Sequence, residues 1–250
     1  MKQFFNYLLA SMAGLVLLLF IFFLVLLSMV MNASKGQKIS INDNSVLHMK
    51  LNYELRDRSN NNPFDMLASD LSGDVSKPVG LHDMLSCLEN AKTDDKIKGV
   101  FLDLTGVGAG YGKLTELRDG LEEFKSSGKF VYAYAEVLYN KTYYLASVAD
   151  KIYMNPSGSI LFNGMVADIT FVKETLAKLG IEMQVIKRGK FKGAVEPYVL
   201  DGLSDANRKQ ITAYLESIYG EFLNRIADSR NVTVEELRSI ADNMSVKTGE

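Results

Sequence analysis

The longest apolar segment of the chain lies at its amino terminus. Residues 7–31 read "YLLASMAGLVLLLFIFFLVLLSMVM", and no charged residue stands between Lys2 and Lys35. About 20 apolar residues span the hydrocarbon core of a bilayer, whereas the apolar core of a secretory signal is about 7–15 residues long. The exit "VMNASKG" is also a poor cleavage site. The pattern therefore predicts an uncleaved transmembrane anchor over residues 8–31, in preference to an overlong cleaved signal peptide.

Beyond this run the chain becomes polar and then alternates between strand and helix patterns. Residues 1–7 form a short tail before the anchor, residues 32–45 suit a linker, and residues 46–250 hold the periodic segments. Apolar alternation or short apolar runs predict strands, and apolar residues at helical spacing predict helices. The strand patterns are "VLHMKLNYEL", "IKGVFLDL", "FVYAYAEV", "DKIYMNP" and "IEMQVIKRG". The helix patterns between them are "LHDMLSCLENAKTDD", "KLTELRDGLEEFKSSGK", "YNKTYYLASVA" and "FVKETLAKLG".

This alternation predicts an α/β fold with a mainly parallel sheet and helices outside it. "IKGVFLDL" and "FVYAYAEV" are almost wholly apolar, which is typical of strands buried on both faces. The last third is helical. Ser204 is placed to cap one long helix, and Thr233 with Glu236 forms a capping box for a second.

Composition excludes several classes of protein. The 250 residues allow one soluble domain of about 200 residues besides the anchor. A net charge of −2 gives no electrostatic case for nucleic acid. Cys87 is the only cysteine, so an intrachain disulfide is excluded, and His48 and His82 are too far apart in sequence to suggest a zinc site.

A glycine-rich loop follows the second predicted strand. Residues 104–113 read "LTGVGAGYGK", which lacks both the G-x-x-x-x-G-K-[ST] and the G-x-G-x-x-G spacing of nucleotide-binding loops. We therefore expect no nucleotide there and no other cofactor or metal. A loop lying over a sheet edge is the preferred interpretation.

A second unusual loop, "RGKFKGAVEP", occupies residues 188–197. Arg188, Lys190 and Lys192 alternate with glycine and phenylalanine before the loop becomes small and apolar. From composition alone this is a solvated basic loop. The alternative is that one lysine is aimed at a substrate or at another side chain.

Three segments together resemble a known family. "FLDLTGVGAG", "KFVYAYAEVLYNKTYYLASVADKIYMNPSG" and "RGKFKGAVEPYVLDGLSDANRKQ" are similar to the amino-terminal half of the signal peptide peptidase A (protease IV) family, in its long two-repeat form. The resemblance implies a crotonase-like (Clp-protease-like) spiral domain, preceded by one transmembrane helix. It also implies a catalytic Ser/Lys dyad whose lysine comes from the first repeat and whose serine comes from the second.

The resemblance places the lysine of the dyad at Lys192. A serine hydroxyl needs a base, and a lysine can serve only if burial or nearby cations keep it neutral. Lys187, Arg188 and Lys190 could supply such cations, although each is more typical of surface charge. The serine position of the catalytic repeat is occupied here by Asn140.

The residues after Asn140 also depart from the family pattern. Lys141 and Thr142 replace the glycines of the motif, and the loop "LTGVGAG" lacks the proline of an oxyanion loop. Ser147, Ser157 and Ser159 are available serines, but none stands at the nucleophile position. The resemblance therefore implies a chain that supplies a base and a scaffold while the nucleophile lies downstream.

Two functions from different classes remain. The first is a membrane-anchored serine endopeptidase that degrades cleaved signal peptides, of which this chain is a half, inactive alone. The second is a non-catalytic crotonase-like membrane scaffold or peptide-binding domain. A coenzyme A enzyme on the same fold is a weaker third option. The expected partners are signal peptides, the lipid bilayer and further copies of the chain, with no nucleic acid. The expected location is the cytoplasmic (inner) membrane, with a short cytoplasmic tail and most of the chain on the exported side.

Overall fold

A computed structural model describes residues 2–33, 40–59 and 79–246. Its strands are β1 Ser45–Lys50, β2 Ile97–Asp103, β3 Phe130–Tyr139 and β4 Lys151–Leu161. The helices are α1 Lys2–Ala33, α2 Leu81–Thr93, α3 Tyr111–Lys125, α4 Asn140–Ala146, α5 Lys173–Lys178, α6 Glu196–Val199, α7 Asp205–Arg230 and α8 Val234–Asn243, with a 3₁₀ turn at Gly193–Val195. The predicted tail, linker and loop regions lie partly outside the described residues, as do the last four residues of the chain.

The described strands form one parallel sheet. Its strand order is β1-β2-β3-β4, the order of the chain, and all three neighbouring pairs are parallel. Parallel neighbours need a crossover connection, and here α2, α3 and α4 supply the three crossovers. The prediction of an α/β fold with a parallel sheet is therefore confirmed.

The core lies between the helices and one face of the sheet. Val100 and Leu102 of β2, and Val131 and Ala133 of β3, are fully buried and belong to one hydrophobic cluster with the apolar residues of α2 and α3. The residues between them are only half-buried, Tyr132 among them. The prediction that these strands are buried on both faces is thus wrong for the described residues, since the described helices pack against one face.

Arg118 of α3 is a buried arginine that joins three helices. Its guanidinium donates to the Ser147 hydroxyl at 2.7 Å, to the Arg225 carbonyl at 3.0 Å and to the Tyr144 carbonyl. Its Nε lies 3.1 Å from the Glu122 carboxylate, one turn along the same helix. Long α7 is therefore fixed to α3 and to the end of α4 by one side chain that is 0% exposed.

The carboxyl-terminal helices begin where the sequence predicts. Ser204 accepts a hydrogen bond from the Asn207 backbone at 3.3 Å, and Thr233 and Glu236 form the expected capping box. Only the second half of α7 enters the core, through Phe222 and its neighbours. Its first half, before residue 219, has no buried residue except Asn207.

Between β4 and α7 the chain forms a mostly exposed arm, residues 163–203. The strand predicted for "IEMQVIKRG" is absent, because residues 181–188 have no strand conformation and are mostly exposed. Apolar alternation favours an extended segment, but a strand also needs a neighbouring strand to accept its hydrogen bonds. No described strand pairs with these residues. The predicted helix before them is present as α5, followed by Gly180 at a φ of +72°.

Helix α1 is long and apolar enough to cross a membrane. Residues Gln3–Ser28 have a mean hydropathy of 2.9, and no side chain in this segment is buried by the rest of the chain. At about 1.5 Å per residue, a helix of this length exceeds the ~30 Å of a bilayer core. By length and composition, α1 is thus compatible with the predicted single-pass anchor.

Candidate functional site

Lys192 lies in an exposed turn, immediately before the 3₁₀ turn at Gly193–Val195. Its side chain is exposed, as are those of Lys187, Arg188 and Lys190. A lysine becomes a proton acceptor at neutral pH only where burial or neighbouring cations lower its pKa. The described part of the chain supplies cations nearby in sequence but does not bury Lys192.

The backbone that carries Lys192 is nevertheless firmly held. Glu196 is 1% exposed, and its carboxylate accepts three hydrogen bonds, from the Ser204 hydroxyl at 2.6 Å, the Ser204 backbone N–H at 3.0 Å and the Asn207 side-chain amide at 3.0 Å. We call Glu196, Ser204 and Asn207 the Glu196 clamp. The hydrogen bonds from Ser204 lower the pKa of the Glu196 carboxyl, and the charge of Lys187 lowers it further. The carboxylate is therefore ionised at neutral pH.

The sequence analysis did not identify the Glu196 clamp. A signal was present, because Glu196 follows three small or apolar residues and precedes a helix cap at Ser204. An acid in such a segment is buried only if donors meet it. The distances in space from Glu196 to Ser204 and Asn207 cannot be predicted from the sequence, because they depend on how the chain turns between α6 and α7.

Asn140 lies at the first position of α4, at the carboxyl end of β3. Its side-chain amide donates to the Asn163 carbonyl at 2.8 Å and to the Asn163 side-chain oxygen at 3.0 Å. The Asn163 backbone N–H returns a hydrogen bond to the Asn140 side-chain oxygen at 3.0 Å. The position that the family resemblance gives to a serine thus holds a reciprocal joint between α4 and the end of β4.

The neighbouring residues are also engaged in packing. Lys141 donates to the Ala109 carbonyl at 2.7 Å and lies 5.3 Å from the centre of the Tyr111 ring. Ser147 is buried and donates to the Tyr144 carbonyl at 2.9 Å, so it takes part in helix packing. Neither side chain offers a free group for catalysis.

The glycine-rich loop after β2 is tied to the segment that follows β1. The Gly106 backbone N–H donates to the Leu51 carbonyl at 3.1 Å, and the Leu55 backbone N–H donates to the Gly108 carbonyl at 2.8 Å. A Cβ added at Gly108 would lie 3.2 Å from the Glu54 backbone, so this close approach favours glycine. The loop therefore pairs with residues 51–55 at the sheet edge.

Lys192 and Asn140 are not joined in the structure. Within the described ranges, the side chain of Asn140 bonds to Asn163, and no hydrogen bond or ion pair joins Lys192 to Asn140. In the same ranges, no three His, Cys, Asp or Glu side chains come close enough together to hold a metal ion. The arrangement offers one exposed lysine on a fixed turn and, separately, a bonded asparagine joint.

Comparison with known proteins places both positions in one family match. The model of peptidase family S49 matches residues 123–250. "Protease 4" of Haemophilus influenzae is 30% identical over 218 residues, which are 85% of this chain and 35% of that protein. The chloroplastic "Serine protease SPPA" of Arabidopsis thaliana is 30% identical over 149 residues, 60% of this chain and 22% of that protein.

More distant similarities were also found. The "Putative signal peptide peptidase SppA" of Enterococcus faecium is 24% identical over 159 residues, 63% of this chain and 46% of that protein. An enoyl-CoA hydratase/isomerase family protein from Silicibacter pomeroyi aligns over 66% of this chain and 85% of its own, with a TM-score of 0.26 and 12% identity. This structural likeness is too low to carry an argument. The chain spans only 22–35% of the length of the Protease 4 and chloroplast relatives.

Proposed function

This chain belongs to peptidase family S49, and on that premise we propose that it is the lysine-bearing part of a membrane-anchored serine endopeptidase. Lys192 is the general base of a Ser/Lys dyad, and the serine lies outside residues 1–250. The substrates are peptides, namely signal peptides already cleaved from exported proteins. The observation that carries the proposal is the family match over residues 123–250, which contains both Lys192, on a turn held by the Glu196 clamp, and Asn140, at the position that the resemblance gives to the serine.

The family resemblance inferred from the sequence motifs is confirmed by the relatives named Protease 4 and SppA. The crotonase-like fold class was inferred through that resemblance, so it rests on the same family match. The domain limits stay proposals: a tail over residues 1–7, an anchor over residues 8–31, a linker over residues 32–45 and a peptidase domain over residues 46–250.

The proposed chemistry has two stages. Neutral Lys192 takes the proton of the serine hydroxyl as the serine oxygen attacks the peptide carbonyl. The resulting ammonium then gives that proton to the departing amine, which leaves an acyl-serine ester. In the second stage the lysine takes a proton from water, the hydroxide attacks the ester, and the proton returns to the serine oxygen as the acid product leaves.

The exposure of Lys192 agrees with a site completed by another segment. The surface that brings the serine must also remove water from the lysine, because dehydration lowers the pKa of an amine. A half-site of this kind stays inactive until it is covered, which would restrict hydrolysis to the assembled protein.

We expect a serine-directed fluorophosphonate to label the full-length protein on a serine outside residues 1–250. The chain of 250 residues, in detergent, should take up no label and hydrolyse no peptide, because Asn140 has no nucleophilic oxygen. Mass spectrometry of peptide digests locates the label. Stoichiometric labelling of any serine within residues 1–250 would show that the nucleophile assignment is wrong.

The alternative function is a non-catalytic membrane scaffold or peptide-binding domain. The bonded joint of Asn140 and the exposure of Lys192 favour it, since neither position acts alone. The labelling experiment separates the two functions. A full-length protein that carries no reactive serine supports the scaffold, and one that is labelled supports the peptidase.

We further propose that α1 anchors the chain in the cytoplasmic membrane, that the domain lies on the exported side, and that copies assemble into an oligomer. The flanking charges do not decide the orientation, because Lys2 lies on one side of the apolar run and Lys35 and Lys38 lie on the other. The proposed orientation therefore follows from the proposed role on exported peptides.

The single cysteine provides a direct test of this topology. Cys87 on α2 is exposed, so a membrane-impermeant maleimide should label it in intact spheroplasts of a bacterium that expresses the chain. The control replaces Cys87 by Ser and introduces Gln3→Cys at the other end of α1, which should react only after lysis. Labelling of Cys87 only after lysis would reverse the orientation.

A further inference from the structure

We propose that Glu196 is a positioning residue for Lys192. Glu196 acts by fixing the turn that carries the Lys192 side chain. The inference rests on the proposed function, in which Lys192 is the base. Glu196 does not touch the reacting atoms. It acts through the backbone of Gly193 and through Asn207.

The first link is the backbone between the two residues. Lys192 stands at the start of the 3₁₀ turn, and Glu196 stands at its end. The Glu196 backbone N–H donates to the carbonyl of Gly193, the residue directly after Lys192. This hydrogen bond closes the turn next to the backbone of Lys192, so the orientation of the turn follows that of Glu196.

The second link is the packing of Gly193 against Asn207. A Cβ added at Gly193 would lie 2.2 Å from the Asn207 side chain, which leaves no room for any other residue type without displacement. Asn207 is itself held by the Glu196 carboxylate at 3.0 Å. Glu196 thus fixes both the end of the turn and the side chain against which its beginning rests.

The third link connects the turn to the core. Ser204 and Asn207 belong to the start of α7, and the far half of this helix is buried through Phe222 and tied to Arg118. The beginning of the arm is attached to α4 through Asn163 and Asn140, and the backbone of Val172 donates to the Pro197 carbonyl at 2.8 Å within the arm. The Glu196 clamp is therefore the connection by which a rigid helix sets the position of an exposed lysine.

A carboxylate suits this task because it accepts several hydrogen bonds at once. Each of the three donors is satisfied by one of the two carboxylate oxygens. Glutamine has the same shape, and its amide oxygen can accept from the Ser204 and Asn207 N–H groups while its NH₂ donates to the Ser204 hydroxyl. Alanine makes none of these three hydrogen bonds, so Glu196→Ala tests the effect of losing the clamp.

The test measures kcat and KM for a peptide substrate in the full-length protein. Displacing a reacting group by about 1 Å can cost on the order of 10²-fold in rate. We expect Glu196→Ala to lower kcat by about 10–100-fold while KM changes less than about two-fold. Glu196→Gln should stay within about three-fold of the parent. Glu182→Ala, which removes an exposed carboxylate from the same arm, should leave both constants unchanged.

A donor–acceptor exchange gives a second readout if Glu196→Ala fails to fold. Asn207→Asp removes the amide donor and places two carboxylates together, and it should lower kcat by at least about ten-fold. Combining it with Glu196→Gln restores one donor and one acceptor between the two positions, and kcat should recover in part, because the Glu196 oxygen that meets Asn207 also accepts from the Ser204 backbone N–H. Loss of kcat without recovery in the double variant would overturn the positioning role, as would a full kcat in Glu196→Ala.

The variants Lys192→Ala and Glu196→Ala together distinguish the positioning role from the proposed dyad. If Lys192→Ala is inactive while Glu196→Ala keeps its kcat, only the positioning role is wrong. If Lys192→Ala remains fully active, the dyad itself is wrong, and the clamp then positions no base.

Discussion

Replacing Lys192 by alanine should remove peptide hydrolysis from the full-length protein while leaving its folding and assembly intact. Loss of a general base typically costs about 10²–10⁴-fold in rate, and loss of one member of a cooperating dyad can cost more. The side chain of Lys192 is exposed and lies outside the core, so its removal leaves no cavity in the described part of the chain. The measurement is kcat/KM for a peptide, with circular dichroism and gel filtration as checks on the fold.

Neighbouring cations provide matched controls. Lys192→Arg should not restore activity, because a guanidinium remains protonated and cannot accept the serine proton. Lys190→Ala, two positions away and equally exposed, should cost far less. Equal losses at positions 190 and 192, or turnover in Lys192→Arg, would instead support a basic patch that attracts its ligand by charge.

Arg118→Ala is expected to destabilise the domain by about 3–5 kcal/mol. Removing a large buried side chain opens a cavity, and the buried acceptors that met its guanidinium each lose a hydrogen bond. Here the Ser147 hydroxyl and the Arg225 carbonyl would lose their donor. For a domain of this size, a change of that magnitude lowers Tm by about 6–20 °C. Thermal unfolding of the chain in detergent, followed by circular dichroism, measures the shift.

Arg225→Ala serves as the control, because it removes an arginine from α7 without touching the core. The Arg225 guanidinium is half-buried at the edge of the domain, where it pairs with the exposed carboxylates of Asp119 and, at 2.8 Å, of Glu221. Surface ion pairs contribute about 0–1 kcal/mol. If the two variants lowered Tm by similar amounts, the proposed importance of the buried arginine would be wrong.

The sheet could be predicted from the sequence because its signal is local. Each strand from β1 to β4 coincides with an apolar run or alternation, and the helix caps at Ser204 and Thr233 are short-range patterns. The strand expected over residues 181–188 fails for the opposite reason. Alternation describes the two faces of a segment, while strand pairing depends on a distant partner that the local pattern does not specify.

Buried polar residues were the second feature that could not be predicted from the sequence. Arg118 lies one helical turn after Leu114 and within a turn of Leu121, so its position on the apolar face could have been noticed. Its acceptors come from α4 and α7, however, and their arrival depends on the tertiary fold. Glu196 has the same character, since two of its three hydrogen bonds come from a residue eight positions later.

The resemblance to a family placed Lys192 and Asn140, but it did not describe their surroundings. The exposure of Lys192 and the reciprocal bonding of Asn140 with Asn163 are properties of the folded chain. Because Lys192 is exposed, the open question about this site is which surface covers the lysine. Lys192 as the base stays a prediction until its variants are measured.

The order of the strands in the sheet has a consequence for how the domain is made. Because β1, β2, β3 and β4 are neighbours in the same order as in the chain, each strand can pair with the preceding one as soon as the ribosome releases it. Helix α7 must arrive later, since the Arg118 guanidinium meets the Arg225 carbonyl across a separation of 107 residues. We infer that a sheet with α2 and α3 forms early during synthesis, and that α7 locks it afterwards. The turn that bears Lys192 depends on α7 for its position, so it takes its final form only when translation of the domain is nearly complete.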